Sequence, residues 1–240
     1  MSGLGGIDAV VLAGGLGTRI QSVLGAVPKV LAPVGGRPFL DLLVDFLAAQ
    51  GAGRVVLALG HRAEAVITHM ERRQFPIPVV TVIEPEPLGT GGALRFAAPM
   101  LVSDPVLVMN GDTWLEADLG AFLAAHRRAG TAVSLLCVEV PDIARYGSVE
   151  TDAAGRVARF AEKDPARTGP GLINGGIGLY ARAALAAIDG PSLERDYLGR
   201  LPAGAIHAHV AQGAAFIDIG TPESLAAAPT VIRPNLETPR

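Results

Sequence analysis

Residues 7–19, IDAVVLAGGLGTR, decide the fold of this chain. Residues 7–13 are an apolar run, which is typical of a strand buried on both faces of a parallel sheet. The run leads directly into GGLGTR at residues 14–19, here called the glycine loop. Glycines that follow a first strand let the backbone approach a ligand closely and direct N–H groups at phosphates. The stretch therefore predicts a phosphate-binding loop after a buried strand.

Two familiar phosphate-binding loops do not match the glycine loop. A Walker loop ends in Gly-Lys-Ser/Thr, and that ending is absent here. The dinucleotide fingerprint requires GxGxxG and an acidic residue at the end of the second strand. The predicted second strand ends in Leu59-Gly60-His61, which offers a ribose no carboxylate. A nicotinamide-binding role is therefore disfavoured.

Strands and helices alternate through the first half of the chain. Apolar runs predict strands at 7–13, 54–59, 79–83 and 105–109, and helical spacing predicts helices at 38–50, 62–73, 90–98 and 118–128. The second half predicts strands at 131–140, 148–151, 157–160, 172–180, 205–211 and 214–218, the last two as a strand pair, and helices at 182–188, 192–201 and after 222. We expect an α/β fold, a Rossmann-like doubly wound mixed sheet with an added antiparallel part. One domain is expected at 1–228, and a loose C-terminal tail at 229–240.

Composition narrows the class of function. Half of the 240 residues are hydrophobic and the net charge is −3, so there is no basic excess to bind nucleic acid. The N-terminus does not resemble a signal peptide and no apolar stretch is long enough to cross a bilayer, which predicts a cytoplasmic protein without a membrane partner. A phosphate ligand must therefore meet a few placed cations, backbone amides and a metal.

Four other residues can be interpreted from their surroundings. The single cysteine, Cys137, lies in an apolar run and is interpreted as a small core residue. His207 and His209 share one face of a predicted strand, but no third metal ligand accompanies them, so both are interpreted as surface residues. Trp114 fits two roles equally, stacking on a ligand or packing at the edge of the core.

Two aspartates follow predicted strands. Asp112 ends the buried strand at 105–109, in the crevice where α/β folds place ligands. Asp218 stands in a similar position before the last predicted helix, for which it is also a candidate N-cap. Two carboxylates brought together from distant strands form a hard-oxygen site that suits Mg²⁺.

The glycine loop, followed by PK at 28–29 and PVGGRP at 33–38, resembles the activation motif of the sugar-1-phosphate nucleotidyltransferases, the sugar-nucleotide pyrophosphorylases. The resemblance implies the nucleotide-diphospho-sugar transferase fold. It implies that Arg19, Lys29 and Asp112 are catalytic, and that Asp112 and Asp218 hold the Mg²⁺. The implied nucleotide-binding residues are Leu12, Ala13, Gly14, Gly15, Gly17, Thr18, Glu84, Gly89, Thr90 and Gly111.

The turn at 84–92, EPEPLGTGG, resembles the base-recognition turn of that family. The resemblance implies that Gly89 lets the base lie against the backbone and that Glu84 reaches its Watson–Crick edge. A carboxylate accepts two hydrogen bonds, which suits the adjacent N1–H and N2–H donors of guanine. Uracil presents one donor between two acceptors and matches less well, so the nucleotide is expected to be GTP.

Three later motifs imply the sugar side of the site, within the antiparallel part of the fold. The residues expected to bind the sugar phosphate are Tyr146, Gly147, Glu162, Lys163, Asn174 and Gly175. By the resemblance, Glu162 takes sugar hydroxyls and Lys163 holds the sugar phosphate. The strand at Asn174 and Gly175 would then lie under the sugar.

The resemblance extends over roughly 7–225 and looks closest to the D-glycero-α-D-manno-heptose 1-phosphate guanylyltransferases. It implies a reaction of a nucleoside triphosphate with a sugar 1-phosphate that gives a nucleotide sugar and pyrophosphate. Two alternatives stay open: a uridylyltransferase acting on N-acetylmuramate 1-phosphate or glucose 1-phosphate, and a non-catalytic regulator that binds a sugar nucleotide. A homo-oligomer is compatible with either.

Overall fold

The computed structural model describes residues 3–232 and builds them around one large mixed sheet. The strands of the protein are β1 (Asp8–Leu12), β2 (Pro33–Val34), β3 (Arg37–Pro38), β4 (Arg54–Leu59), β5 (Val79–Ile83), β6 (Val106–Asn110), β7 (Thr113–Leu115), β8 (Val133–Val140), β9 (Ser148–Thr151), β10 (Val157–Ala161), β11 (Gly171–Tyr180), β12 (Ile206–Val210) and β13 (Phe216–Asp218). Of these, β2 and β3 form one separate two-stranded sheet, and β7 and β13 form another. The helices are α1 (Gln21–Leu24), α2 (Phe39–Ala49), α3 (Ala63–Glu71), α4 (Gly89–Ala97), α5 (Leu119–Ala129), α6 (Arg182–Ala186) and α7 (Pro222–Val231).

Parallel and antiparallel strands share the large sheet. Strands β5, β4, β1 and β6 lie side by side and parallel. Strand β11 joins β6 in the antiparallel direction, β8 pairs with β11, and β12 lies parallel to β8 at the outer edge. The hairpin of β9 and β10 pairs with β11. The expected mixed sheet with an added antiparallel part is confirmed.

Alternate residues of β1 face two different cores. Ala9 and Val11 pack in a core that includes side chains of α2, α5 and α7, whereas Val10 packs in a core that includes side chains of α4 and α6. All three residues are fully buried. A strand covered by helices on both faces carries apolar residues throughout, which explains the run at 7–13.

The predicted strand pair at 205–211 and 214–218 is wrong. Strand β12 lies parallel to β8 in the large sheet, and β13 lies antiparallel to β7 in a separate two-stranded sheet. Strand β7 has only three residues, too few to show a period in the sequence. Two runs joined by a short turn satisfy the hairpin pattern, but long-range partners decide the pairing here.

The helix expected at 192–201 is irregular. The structure has a π-helical turn at Leu193–Tyr197 and a 3₁₀ turn at Leu198–Arg200. The Ser192 hydroxyl accepts the backbone N–H of Arg195, and the Asp196 carboxylate accepts the backbone N–H of Ser192. Such local side-chain bonds compete with regular helical hydrogen bonds.

The last helix extends beyond residue 228. Thr221 and Ser224 form a capping box before α7, which continues to Val231 despite Pro229. Leu225 and Ile232 are buried against the core, at a spacing that keeps one face of the helix attached. The expected loose tail at 229–240 is therefore wrong for residues 229–231, and residues 233–240 lie outside the described part of the chain.

The four side chains interpreted one by one from the sequence lie either in the core or half-buried in β12. Cys137 is fully buried in β8, and burial raises the pKa of its thiol to about 12, which confirms a core role. Trp114 is fully buried, with its ring 5.2 Å from that of Phe46, so it is a core residue. His207 and His209 are half-buried in β12 and line a hollow at the surface, so their interpretation as surface residues holds in part. No helix within residues 3–232 is long and apolar enough to cross a membrane.

Candidate active site

Two adjoining cavities lie at the carboxyl ends of β1 and β6. The loop cavity, of about 290 Å³, is bounded by the glycine loop, the start of α4 and the end of β6. The hairpin cavity, of about 240 Å³, is bounded by the β9–β10 hairpin, β11 and β13. Thr90, Asn110 and Asp112 line both cavities. Ligands bound in the two cavities would therefore meet at these three residues.

Most of the residues expected to bind a nucleotide line the loop cavity. They are Leu12, Ala13, Gly14, Gly15, Glu84, Gly89, Thr90 and Gly111. Gly17 lies instead in a small hollow on the other side of the loop, and the exposed Thr18 lines neither cavity. The backbone of the loop thus contributes its first half to the cavity.

Two glycines of this region are needed for close packing. A Cβ on Gly111 would lie 2.6 Å from the Leu12 carbonyl oxygen, which accepts the Gly111 N–H at 2.8 Å. Gly89 has a φ of 74°, and a Cβ there would lie 2.4 Å from the Pro191 carbonyl oxygen. A side chain at either position would collide with backbone. Gly89 therefore has a packing role in addition to the base contact implied by the sequence.

Glu84 is partly engaged inside the protein. Its Oε2 accepts the backbone N–H of Leu88 at 3.0 Å, which closes the turn before α4. Its Oε1 lies against Gly14, where a Cβ would approach within 2.6 Å. The carboxylate is thus held at the wall of the loop cavity. An oxygen that already accepts one hydrogen bond has a second lone pair for a ligand.

Asp112 and Asp218 come together through a pair of short strands. Strand β13 pairs with β7 so that Asp218 lies opposite Thr113, and the Ile219 N–H bonds to the Asp112 carbonyl at 2.8 Å. Both aspartates line the hairpin cavity. The N-cap of α7 is Thr221, which removes the capping role considered for Asp218.

Each of the two carboxylates has a cationic partner. Lys29 Nζ donates to Asp112 Oδ2 at 2.5 Å, and the side chain of Lys29 is only 17% exposed. Arg145 donates to Asp218 at 3.1 Å, and the Tyr146 hydroxyl donates to the same oxygen at 2.9 Å. These contacts set the orientation of both carboxylates in the cavity.

The predicted cations converge on one point beside Asp218. A Cβ on Gly220 would lie 2.7 Å from Asp218 Oδ1, 3.3 Å from a guanidinium nitrogen of Arg19 and 3.6 Å from Lys29 Nζ. Residues from the two ends of the chain therefore surround the junction of the two cavities. An arrangement of two cations and two carboxylates is suited to a reaction in which negative charge moves.

All six residues expected to bind the sugar phosphate line the hairpin cavity. They are Tyr146, Gly147, Glu162, Lys163, Asn174 and Gly175. Glu162 and Lys163 are exposed just after β10, which leaves both free to reach a ligand. Asn174 and Gly175 lie where the register of β11 shifts against β8, and a bulge of this kind redirects side chains.

Two charged residues of the hairpin cavity were missed by the sequence analysis. Arg145 holds Asp218, and its guanidinium lies 5.6 Å from the ring centre of Tyr146. Its position directly before the Tyr146 motif was a signal that could have found it. Glu194 reaches the cavity from the π-helical turn and accepts the Thr90 hydroxyl at 3.0 Å. Nothing local in its sequence marks Glu194.

Tyr146 remains a hydrogen-bond donor to Asp218 over a wide pH range. Burial, followed by the charge of Asp218, raises the pKa of its hydroxyl to about 12. Burial also raises the pKa of the other two tyrosines, Tyr180 and Tyr197. Tyrosines of an unfolded chain ionise at about pH 10. The folded protein therefore holds its tyrosine protons to higher pH than the unfolded chain does.

Alkaline pH is consequently expected to destabilise the fold. Below about pH 10 the tyrosines are protonated in both states, and their contribution to stability is fully present. As the pH rises from there through about 12, the unfolded chain loses its tyrosine protons before the folded protein does, and the contribution is lost. Denaturant unfolding at stepped pH measures this loss, and tyrosinate absorbance of the folded protein measures the ionisation. Tyr146→Phe should remove one of the late transitions. A tyrosine that ionises near its ordinary pKa in the folded protein would contradict the prediction.

The likeness to known proteins agrees with this geometry. A family model described as nucleotidyl transferase matches residues 8–233. The D-glycero-α-D-manno-heptose 1-phosphate guanylyltransferase of Aneurinibacillus thermoaerophilus is 33% identical over 225 residues, covering 90% of this chain and 94% of that protein. The protein of the same name from Campylobacter jejuni is 35% identical over 176 residues, covering 73% of this chain and 76% of that one.

A solved structure is also similar along most of its length. The crystal structure of HddC from Yersinia pseudotuberculosis complexed with GMP-PN has a TM-score of 0.82 and 36% sequence identity. The match covers 93% of this chain and 98% of that chain. The chain therefore belongs to the nucleotidyl transferase family of enzymes, and its sheet has the nucleotide-diphospho-sugar transferase fold.

Proposed function

We propose that this chain transfers GMP from GTP to D-glycero-α-D-manno-heptose 1-phosphate, giving the GDP-sugar and pyrophosphate. The observation that carries the proposal is the meeting of the two cavities at Asp112, beside Arg19 and Lys29. A nucleotide in the loop cavity and a sugar phosphate in the hairpin cavity would have their reacting groups there. The names of the similar proteins support the choice of guanine and of heptose.

The reaction exchanges one phosphorus–oxygen bond for another. An oxygen of the sugar phosphate attacks the α-phosphorus of GTP, and the bond to the oxygen that bridges to the β-phosphate breaks. Pyrophosphate leaves with that electron pair. Arg19 and Lys29 offset the negative charge on the leaving group, and charge neutralisation with positioning dominates such transfers. Lys163, which also lines the hairpin cavity, would hold the sugar phosphate in line.

We further propose that Asp112 and Asp218 hold Mg²⁺. Two carboxylates at the junction fit this ion, because Mg²⁺ in such sites takes one or two carboxylates and completes its shell with phosphate oxygens and water. Within residues 3–232 no group of three or more His, Cys, Asp or Glu side chains is placed to hold a metal. When bound, the ion supplies further neutralisation of phosphate charge.

Glu84 is the residue proposed to favour guanine. Its carboxylate is fixed at the wall of the loop cavity by Leu88 and would accept hydrogen bonds from the guanine edge. Glu84→Gln keeps the size of the side chain but replaces one acceptor by a donor. We expect it to lower kcat/KM for GTP by about tenfold, the cost of losing about one hydrogen bond to a charged group. Glu86→Gln, at an exposed position two residues on, is the matched control.

The decisive experiment is a panel of nucleoside triphosphates and sugar 1-phosphates, with pyrophosphate release as the readout. We expect turnover with GTP and the heptose 1-phosphate, and at least about tenfold lower kcat/KM with UTP. Turnover of UTP with N-acetylmuramate or glucose 1-phosphate, and none with GTP, would make the chain a uridylyltransferase. Binding without any turnover would identify a regulator. A cytoplasmic location and a homo-oligomer stay predictions.

A further inference from the structure

A positively charged hollow lies against β12 at the outer edge of the large sheet, and it is here called the basic hollow. Arg128, Arg156, His207 and His209 line it together with several alanines, around a volume of about 460 Å³. None of its lining residues lines the loop cavity or the hairpin cavity. The basic hollow is therefore a separate feature of the surface.

The charged groups of the basic hollow are all cationic. No aspartate or glutamate is among the residues that line it. Within residues 3–232, the guanidinium of Arg128 has no hydrogen bond or ion pair, and the guanidinium of Arg156 donates to the Gly204 carbonyl at 3.4 Å. The chain as a whole carries a net charge of −3, so this positive surface is local. Guanidinium groups without a carboxylate partner are available to an anion.

The ring of His207 forms part of the wall of the basic hollow. Its Nδ1 is buried and has no hydrogen-bond partner among the described residues. The turn at Gly155 covers the other side of the ring, where a Cβ would lie 3.2 Å from Nε2. Burial, and then the charges of Arg156 and Arg128, lower the pKa of His207. The ring therefore lies near both guanidinium groups, and its NMR signals can report on a ligand bound between them.

The helix dipole explains only part of this cluster. The last turn of α5 contains His126, Arg127 and Arg128, and cations at a helix C-terminus stabilise the helix without any ligand. Arg156 comes from the β9–β10 turn, however, and His207 comes from β12. Three separate elements thus bring cationic or imidazole groups to one place.

The nearest carboxylates do not neutralise the basic hollow. Asp118 acts on His209 but lies at the first turn of α5, where it accepts the Ala121 N–H. Asp152 uses its carboxylate for the N–H groups of Ala154 and Arg156 within its own turn. Neither forms an ion pair with the arginines that line the hollow within the described residues.

We propose that the basic hollow binds a phosphate-bearing small molecule. The phosphate would contact Arg128 and Arg156 beside the His207 ring, and the remainder of the ligand would lie on the alanine methyl groups. Arginine matches phosphate because its planar guanidinium donates two parallel hydrogen bonds. The site stands apart from the reaction at Asp112, so it does not depend on the substrates proposed above.

The test is a titration of the full chain with inorganic phosphate, followed by NMR of the histidine side chains. Signals of His207 and His209 are assigned with His207→Gln and His209→Gln. We expect phosphate to shift the His207 signals saturably and chloride at equal ionic strength to leave them unchanged. Arg128→Gln and Arg156→Gln should each weaken phosphate binding about tenfold, the loss expected for one charge-assisted hydrogen bond.

Arg127→Gln is the matched control, since it removes the same charge from the same turn of α5 but does not line the hollow. It should weaken binding by less than about twofold, because an exposed charge at a distance is screened. Equal weakening by Arg127→Gln and Arg128→Gln would overturn the proposal, as would the absence of a saturable shift. Thermal unfolding checks that each variant folds. If Arg128→Gln does not fold, Arg156→Gln provides an independent test.

Discussion

Asp112→Asn is expected to lower the kcat for pyrophosphate release by about a thousandfold, at the upper end of losses caused by removing one group that stabilises transition-state charge. Asp112 lies at the junction of both cavities and accepts Lys29 Nζ at 2.5 Å. Asparagine keeps the shape of the side chain but removes the charge that would hold a cation and orient Lys29. Steady-state kinetics with the best substrate pair of the wild-type protein measures the effect.

Asp118→Asn provides the control for this experiment. It also removes one negative charge, and asparagine caps a helix as well as aspartate does, so α5 should stay intact. We expect its kcat to remain within about twofold of wild type, since a cap substitution acts on stability rather than on chemistry. Activity of Asp112→Asn within about tenfold of wild type would exclude Asp112 as a metal ligand. Circular dichroism of each variant shows whether a loss of activity comes from loss of the folded state.

Trp114→Ala is expected to lower the free energy of unfolding by about 3–5 kcal/mol, as large-to-small substitutions of buried aromatic residues do. Trp114 is fully buried, two residues after Asp112 in the chain, and packs on Phe46. Its loss would leave a cavity under β7, the strand that carries Asp112 toward Asp218. Urea unfolding followed by circular dichroism measures the change, because Trp114 is the single tryptophan and its fluorescence is lost with it.

Trp114→Phe separates packing from hydrogen bonding. The Trp114 Nε1 has no hydrogen-bond partner within residues 3–232, so phenylalanine removes volume but no hydrogen bond. We expect a loss of about 1–2 kcal/mol, smaller than the alanine effect, and an unchanged KM for the nucleotide. A raised KM with unchanged stability would mean that Trp114 stacks on a ligand.

The parallel half of the sheet was predictable because its signals are local. Strands β4 and β5 begin and end at the predicted residues, and β1 lies within the predicted run. Each is an apolar run covered on both faces, and such a run needs no knowledge of its partner. The partners of β12 and β13 were not predictable, since their pairing depends on β8 and β7 elsewhere in the chain.

The candidate site divides in the same way. Residues within recognisable motifs, such as Glu162 and Lys163, were found in the sequence and line the hairpin cavity. Arg145 and Glu194 were missed because an isolated arginine or glutamate has no pattern of its own. Glu194 in particular reaches the cavity only because Thr90 and the π-helical turn hold it there.

The sequence by itself determined the first strand, the glycine loop after it and the identity of the groups proposed to meet phosphate, because apolar runs and glycine turns act over a few residues. Only the tertiary structure decided which of those groups meet. The pairing of β7 with β13 places Asp218 beside Asp112, and the lack of a side chain at Gly220 leaves room there for Arg19 and Lys29. Contacts between residues so far apart depend on strand pairing and on packing of the whole core, neither of which leaves a local pattern in the chain.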